Sequence, residues 1–150
     1  YDEENPMPRY YRQAPLNSIW EGSGNVQCLD VLRALAKEPN VKEALFNELK
    51  TQTGKNKHYD IHLSKLLDEL SNTQNMETRS RYLTEQMALA LQACTLLATC
   101  TFLAKGNVHN DIAHTFCESR LGNACGFALG TLPDTTPFEK IIALGRVSSS

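Results

Sequence analysis

The chain has 150 residues, 41% of them hydrophobic and 21% charged, a composition that fits one globular domain and excludes a disordered, collagenous or coiled-coil chain. That length supports a single sizeable core and excludes a complete multi-domain enzyme. Fifteen Lys and Arg stand against 17 Asp and Glu, a formal net charge of −2, so any contact with nucleic acid or an anionic membrane must come from a local patch.

Three of the six prolines, Pro6, Pro8 and Pro15, fall within residues 1–15, and this stretch is expected to be extended loop. Residues 1–9 carry three acidic groups and no apolar run, unlike a signal or transit peptide. The chain opens on a tyrosine and is read as a segment of something longer. From Ser23 to Lys37, polar Gln27, Asp30, Arg33 and Lys37 recur at spacings of 3, 3 and 4 with mostly apolar residues between. This predicts a helix with a narrow wet stripe and most of its circumference buried. Pro39 stops it and opens a second helix over 40–50, with Val41, Ala44, Leu45 and Leu49 on one face.

Ile61, Leu63, Leu66, Leu67 and Leu70 predict a third helix over 57–70, followed by a polar turn at 71–74. A long fourth helix is expected over 77–105, closed by Gly106. Asn107 is a suitable N-cap for a fifth, whose inner stripe is Val108, Ile112, Phe116 and Cys117. A short last helix is expected from Thr136 to Leu144. No stretch alternates with period two for long enough to make a strand, so the predicted fold class is all-α, a helical bundle.

Several features carry two readings. Met87 to Ala104 holds eighteen residues without a charge, the length of a membrane span, but Gln92, Thr95 and Thr99 form a polar stripe that marks a core helix and no membrane contact. Gly122, Gly126 and Gly130 recur every four residues in what reads as a helix. Their cost in helix propensity asks for close approach of another helix, within the domain or between subunits. His58 and His62 have the one-turn spacing of metal ligands, yet a third ligand and the glutamate of HExxH are missing, so no metal is expected and paired or solvated imidazoles are the simpler reading. The odd set of cysteines, Cys28, Cys94, Cys100, Cys117 and Cys125, forms no CxxC pair and reads as reduced thiols of the cytoplasm or another reducing intracellular compartment.

The segment from Asn17 to Gln27, Asn-Ser-Ile-Trp-Glu-Gly-Ser-Gly-Asn-Val-Gln, is the densest in chemistry. A carboxylate, Glu21, stands beside Trp20; Gly22 and Gly24 permit close approach; and small polar residues open a helix whose amides can receive an anion. A glutamate against an indole in a dry pocket has the raised pKa that suits proton abstraction from carbon. A capped turn before a helix explains the same residues without chemistry.

Arg9-Tyr10-Tyr11-Arg12-Gln13-Ala14-Pro15-Leu16-Asn17-Ser18-Ile19-Trp20-Glu21-Gly22-Ser23-Gly24-Asn25 resembles the C-terminal signature of the acyl-CoA dehydrogenases. The Trp-Glu-Gly-Ser-Gly-Asn form, followed by Cys28-Leu29-Asp30-Val31-Leu32-Arg33, is similar to their alkylation-response (AidB-like) branch. The likeness implies a C-terminal fragment of an FAD-dependent flavoprotein that desaturates acyl-CoA thioesters. Residues 1–38 would then end the family's helical domain and residues 39–150 form a helical extension. It implies Glu21 as the catalytic base, Trp20, Gly22, Ser23 and Asn25 at the FAD, and a homotetramer when full-length. Trp20 stands where the family usually has tyrosine, and Ser23 where it has threonine.

In that branch the terminal region is associated with DNA, and Arg33 and Arg120 match its arginine positions. Residues 31–150 hold thirteen Lys and Arg against twelve Asp and Glu, so any DNA binding is expected to be weak. The alternative to the flavoprotein reading is a helical DNA-binding or interaction module with little dehydrogenase activity.

Overall fold

A computed structural model describes residues 4–20, 22–102, 108–122, 130 and 132–144. Among them are seven α-helices and no strand, as the all-α reading expects. In chain order they are α1 (Met7–Gln13), α2 (Gly24–Lys37), α3 (Pro39–Lys50), α4 (Lys57–Ser71), α5 (Ser80–Phe102), α6 (Val108–Phe116) and α7 (Phe138–Leu144). A 3₁₀ turn, Ala14–Ser18, follows α1, and a π-helical turn, Cys117–Leu121, follows α6.

Within the stretch expected to be extended loop, residues 7–15 are therefore helical. Pro8 and Pro15 both fall in the first turn of their helices, where the absent N–H has no intrahelical partner to lose and a fixed φ already suits the helix.

The core is built around α5. Leu83, Met87, Ala90, Cys94 and Leu97 are buried at spacings of 4, 3, 4 and 3, which makes one continuous seam along its length. Against this seam α4 places Tyr59, Leu63, Leu66 and Leu70, α3 places Leu49, and α6 with its π turn places Ala113, Cys117 and Leu121. The Tyr59 hydroxyl donates to the Leu49 carbonyl at 2.6 Å, so the largest fully buried side chain joins α4 to the end of α3. Burial pushes its phenol well above the usual range. On the wet side of α5, the Thr95 and Thr99 hydroxyls donate back to the Leu91 and Thr95 carbonyls. No described helix is long and apolar enough to cross a membrane.

Helix α4 is fastened at its start by Asn56, whose Oδ1 accepts from the backbone N–H groups of His58 and Tyr59 at 2.9 and 3.3 Å. Helix α5 begins at Ser80, three residues later than the pattern predicts, because Arg79 organises the preceding turn. Its guanidinium pairs with Glu69 and donates to the carbonyls of Glu69, Asn72 and Gln74.

Three expectations about packing are corrected. Helix α2 buries no residue fully: Val31, Leu32 and Leu35 pack against the core, whereas Val26 and Leu29 lie on the open side. An apolar surface specifies that a face can be covered, without naming a cover. On α3 the inward face is Leu45, Phe46 and Leu49, with Val41 and Ala44 exposed. Lys42 sits 5.5 Å from the Phe46 ring centre, and its stem covers apolar surface that Val41 does not. Finally, Gly122 is extended (φ −72°, ψ 165°) and Gly130 has φ +88°, so neither lies in a helix; Gly126 is outside the described residues. Close approach at Gly122 is real and within the domain, as one of the two readings has it: a Cβ there would collide with the Glu118 carbonyl and touch His58 Nδ1 of α4.

Candidate functional site

The chemistry-bearing segment runs from the 3₁₀ turn into the first turn of α2. Ser18 closes the 3₁₀ turn by donating to the Pro15 carbonyl at 2.8 Å, and the Ile19 and Trp20 amides both bond back to Leu16. This leaves the Trp20 indole 57% exposed, an aromatic face presented outward and not a core side chain. Glu21 lies outside the described residues. Gly22 follows at φ +117°, a backbone angle that strains any L side chain, and a Cβ there would also press on Val26. The turn thus requires glycine at this position.

Ser23 is the extended N-cap of α2, and its hydroxyl makes no capping hydrogen bond. The first-turn amides of this fourteen-residue helix lack intrahelical acceptors and carry the positive end of the helix dipole. Gly22, Ser23, Asn25 and Trp20 are thus brought together on one exposed turn. Asn25 is committed in part: its Oδ1 accepts from the Arg81 guanidinium at 3.1 Å. That bond ties the turn to the start of α5, and a partner fifty-six positions away has no signature in local sequence.

The two arginines singled out for nucleic acid differ. Arg33 is ion-paired with Asp30 one turn before it, whereas Arg120 is exposed on the π turn. Arg33 also rims an apolar groove of about 620 Å³, whose walls include Leu29, Leu32, Leu35, Leu70 and Met76.

His58 and His62 do not converge on a metal. His62 is buried on α4, its Nε2 sits 3.1 Å from the Gln86 carbonyl of α5, and burial lowers its pKa. His58 turns toward Gly122. Among the described residues no three His, Cys, Asp or Glu side chains are grouped to hold a metal ion. Cys28, Cys94, Cys100 and Cys117 are free thiols, and burial pushes Cys117 up to about 11; Cys125 lies outside the described residues.

A match to a known family includes this segment. Residues 1–36 match the family model of the acyl-CoA dehydrogenase C-terminal domain. AidB of Escherichia coli (strain K12), provisionally named an acyl-CoA dehydrogenase, is 40% identical over 89 residues, which is 59% of this chain and 16% of AidB. Acyl-CoA dehydrogenase family member 11 of Caenorhabditis elegans is 35% identical over 65 residues, 43% of this chain and 10% of that relative. The matched part spans no more than about a sixth of either relative.

Proposed function

We propose that the chain is a fragment of an AidB-like member of the acyl-CoA dehydrogenase family, a reading supported by the match of residues 1–36 and the 40% identity to AidB, and that residues 17–27 form one wall of a flavin-dependent active site that removes hydrogen from the α and β carbons of an acyl-CoA thioester. The observation that carries this reading is the open start of α2: a glycine-only turn at Gly22, an uncommitted Ser23 hydroxyl and an exposed Trp20 in consecutive order. These groups fit FAD. Helix amides and the Ser23 hydroxyl suit its phosphates and polar edges, and the Trp20 indole suits a planar ring. With Asn25 Oδ1 held by Arg81, the Asn25 Nδ2 donor is what remains for the cofactor.

FAD, when bound, supplies the hydride acceptor. In this reading Glu21 takes the α-proton on its carboxylate. A hydrogen bond from the Glu21 amide to the thioester carbonyl would stabilise the negative charge that develops as the proton leaves. A homotetramer belongs to the same reading.

Glu21→Gln in the full-length protein keeps shape and removes basicity. Flavin content is expected to persist while reduction by acyl-CoA slows about 10²-fold or more; an unchanged rate moves the base to another residue. The 150-residue chain alone is expected to bind no flavin, since one turn cannot enclose a dinucleotide, and stoichiometric FAD on it would defeat that expectation. Weak DNA binding would rest on Arg120 more than on the Asp30-paired Arg33. Arg120→Ala should then lower the slope of log affinity against log salt by roughly 0.9, and an unaltered slope removes Arg120 from the contact.

A further inference from the structure

We infer that the contact between Asn56 and His114 is a proton-sensitive latch joining the start of α4 to α6. Asn56 is buried, and its two side-chain functions are separately used. Its Oδ1 accepts from the His58 and Tyr59 amides as the α4 cap, and its Nδ2 lies 2.9 Å from His114 Nδ1. The cap fixes which way the amide points, because the atom facing two backbone N–H groups must be the oxygen. The atom facing His114 is therefore a donor. A donor requires an acceptor, so His114 Nδ1 is unprotonated in the latched state and the ring carries its proton on Nε2.

Protonation of the ring turns Nδ1 into a second donor. Asn56 Nδ2 then faces an N–H in place of a lone pair. It cannot recover by rotating its amide, because that would turn the NH₂ group onto the two cap amides. The latch and the cap are thus coupled through one side chain: a proton on α6 removes the bond between helices and with it the restraint that holds the Asn56 amide in its capping orientation, which weakens the α4 start.

The titratable and charged groups on the surrounding elements define the setting. On α6 and its π turn, Asp111 and Glu118 stand one turn to either side of His114, and Asp111 is shared with Lys140 of α7 at 3.9 Å. From α4 come Lys57, His58 and Asp60, the last accepting from the Gly54 amide; from the end of α5 near α6 comes Cys100, which donates to the His109 carbonyl. His58 is the other imidazole at this junction, beside Gly122, so the test must separate it from His114.

The test follows the His114 ring and the His58 and Tyr59 backbone amides by NMR in the full chain between pH 8 and 5. Ring ¹⁵N shifts should show the Nε2–H tautomer at high pH. After correction for intrinsic exchange, protection of the two amides should fall about five-fold as His114 titrates, the worth of one ordinary hydrogen bond, with a midpoint matching the ring's own. His114→Gln, which offers a non-titrating acceptor, should abolish that step, and His58→Gln should leave it in place. The inference is overturned by protection that ignores the His114 titration, by an Nδ1–H tautomer at high pH, by a step that survives His114→Gln, or by one that vanishes in His58→Gln.

Discussion

Residues 4–37 and residues 49–121 contain comparable apolar side chains and treat them oppositely. Every fully buried hydrophobic residue among those described lies between Leu49 and Leu121, whereas Met7, Tyr10, Tyr11, Leu16, Ile19, Trp20, Val26 and Leu29 are all exposed. Apolar groups scattered singly on a surface need no explanation, but a run of eight in twenty-three positions has the character of an interface. The contrast teaches that hydrophobic content alone does not make a core: α4, α5 and α6 bring three stripes to one seam, while α2, although it contacts α3 and α5, buries no residue fully. The family match falls on the exposed region, and the stability of the described chain is expected to reside in the other.

Substitutions can break this contrast or sharpen it. The largest effect is expected for Leu66→Ala in the α4–α5 seam, about 2–5 kcal/mol of unfolding free energy by denaturant titration; a cost under 1 kcal/mol would mean that the seam is loosely packed. Tyr59→Phe keeps the ring but leaves the buried Leu49 carbonyl without its donor, so a loss of about 1–3 kcal/mol is expected from the same measurement. His62 gives a smaller effect that depends on pH. Its folded pKa lies below the unfolded 6.5 because of burial, so the unfolded chain binds the extra proton first. Its contribution is complete above the unfolded value and is lost as pH falls through 6.5 toward the folded value, with a slope of at most about 1.4 kcal/mol per pH unit. Melting temperatures that fall on acidification, and fall less in His62→Gln, would bear this out; stability that rises on acidification would reverse the sign. Val26→Ser and Leu29→Ser on the open face should change stability by less than about 0.5 kcal/mol, and a loss of 2 kcal/mol from either would show that α2 belongs to the core.

Much of the helical order was legible because it rests on local rules. The α5 seam follows from apolar periodicity, and the polar Gln92, Thr95 and Thr99 stripe correctly sets the orientation of that helix. Proline misled at α1, since the residue breaks a helix interior and suits a first turn, and composition does not distinguish the two. Burial of α2 was misread because periodicity reports a face and not what covers it. The glycine spacing suggested a helix contact, whereas Gly122 serves the exit from a π turn, a geometry with no simple sequence signature. At the candidate site, the segment was found from its residue types, but the Arg81 bond to Asn25, the uncommitted Ser23 hydroxyl and the positive φ of Gly22 depend on three-dimensional placement.

The central position of α5 also governs how the chain is made. Helices α2, α3 and α4 all precede the seam that three of them share contacts with, so during synthesis they leave the ribosome before their common partner exists. Translation at about 5–20 residues per second takes roughly one to five seconds to add the twenty-three residues of α5. For that interval the inner faces of α3 and α4, with Leu49, Leu63 and Leu66, have no seam to dock on, and their apolar surface stays uncovered until Leu83 to Leu97 have emerged.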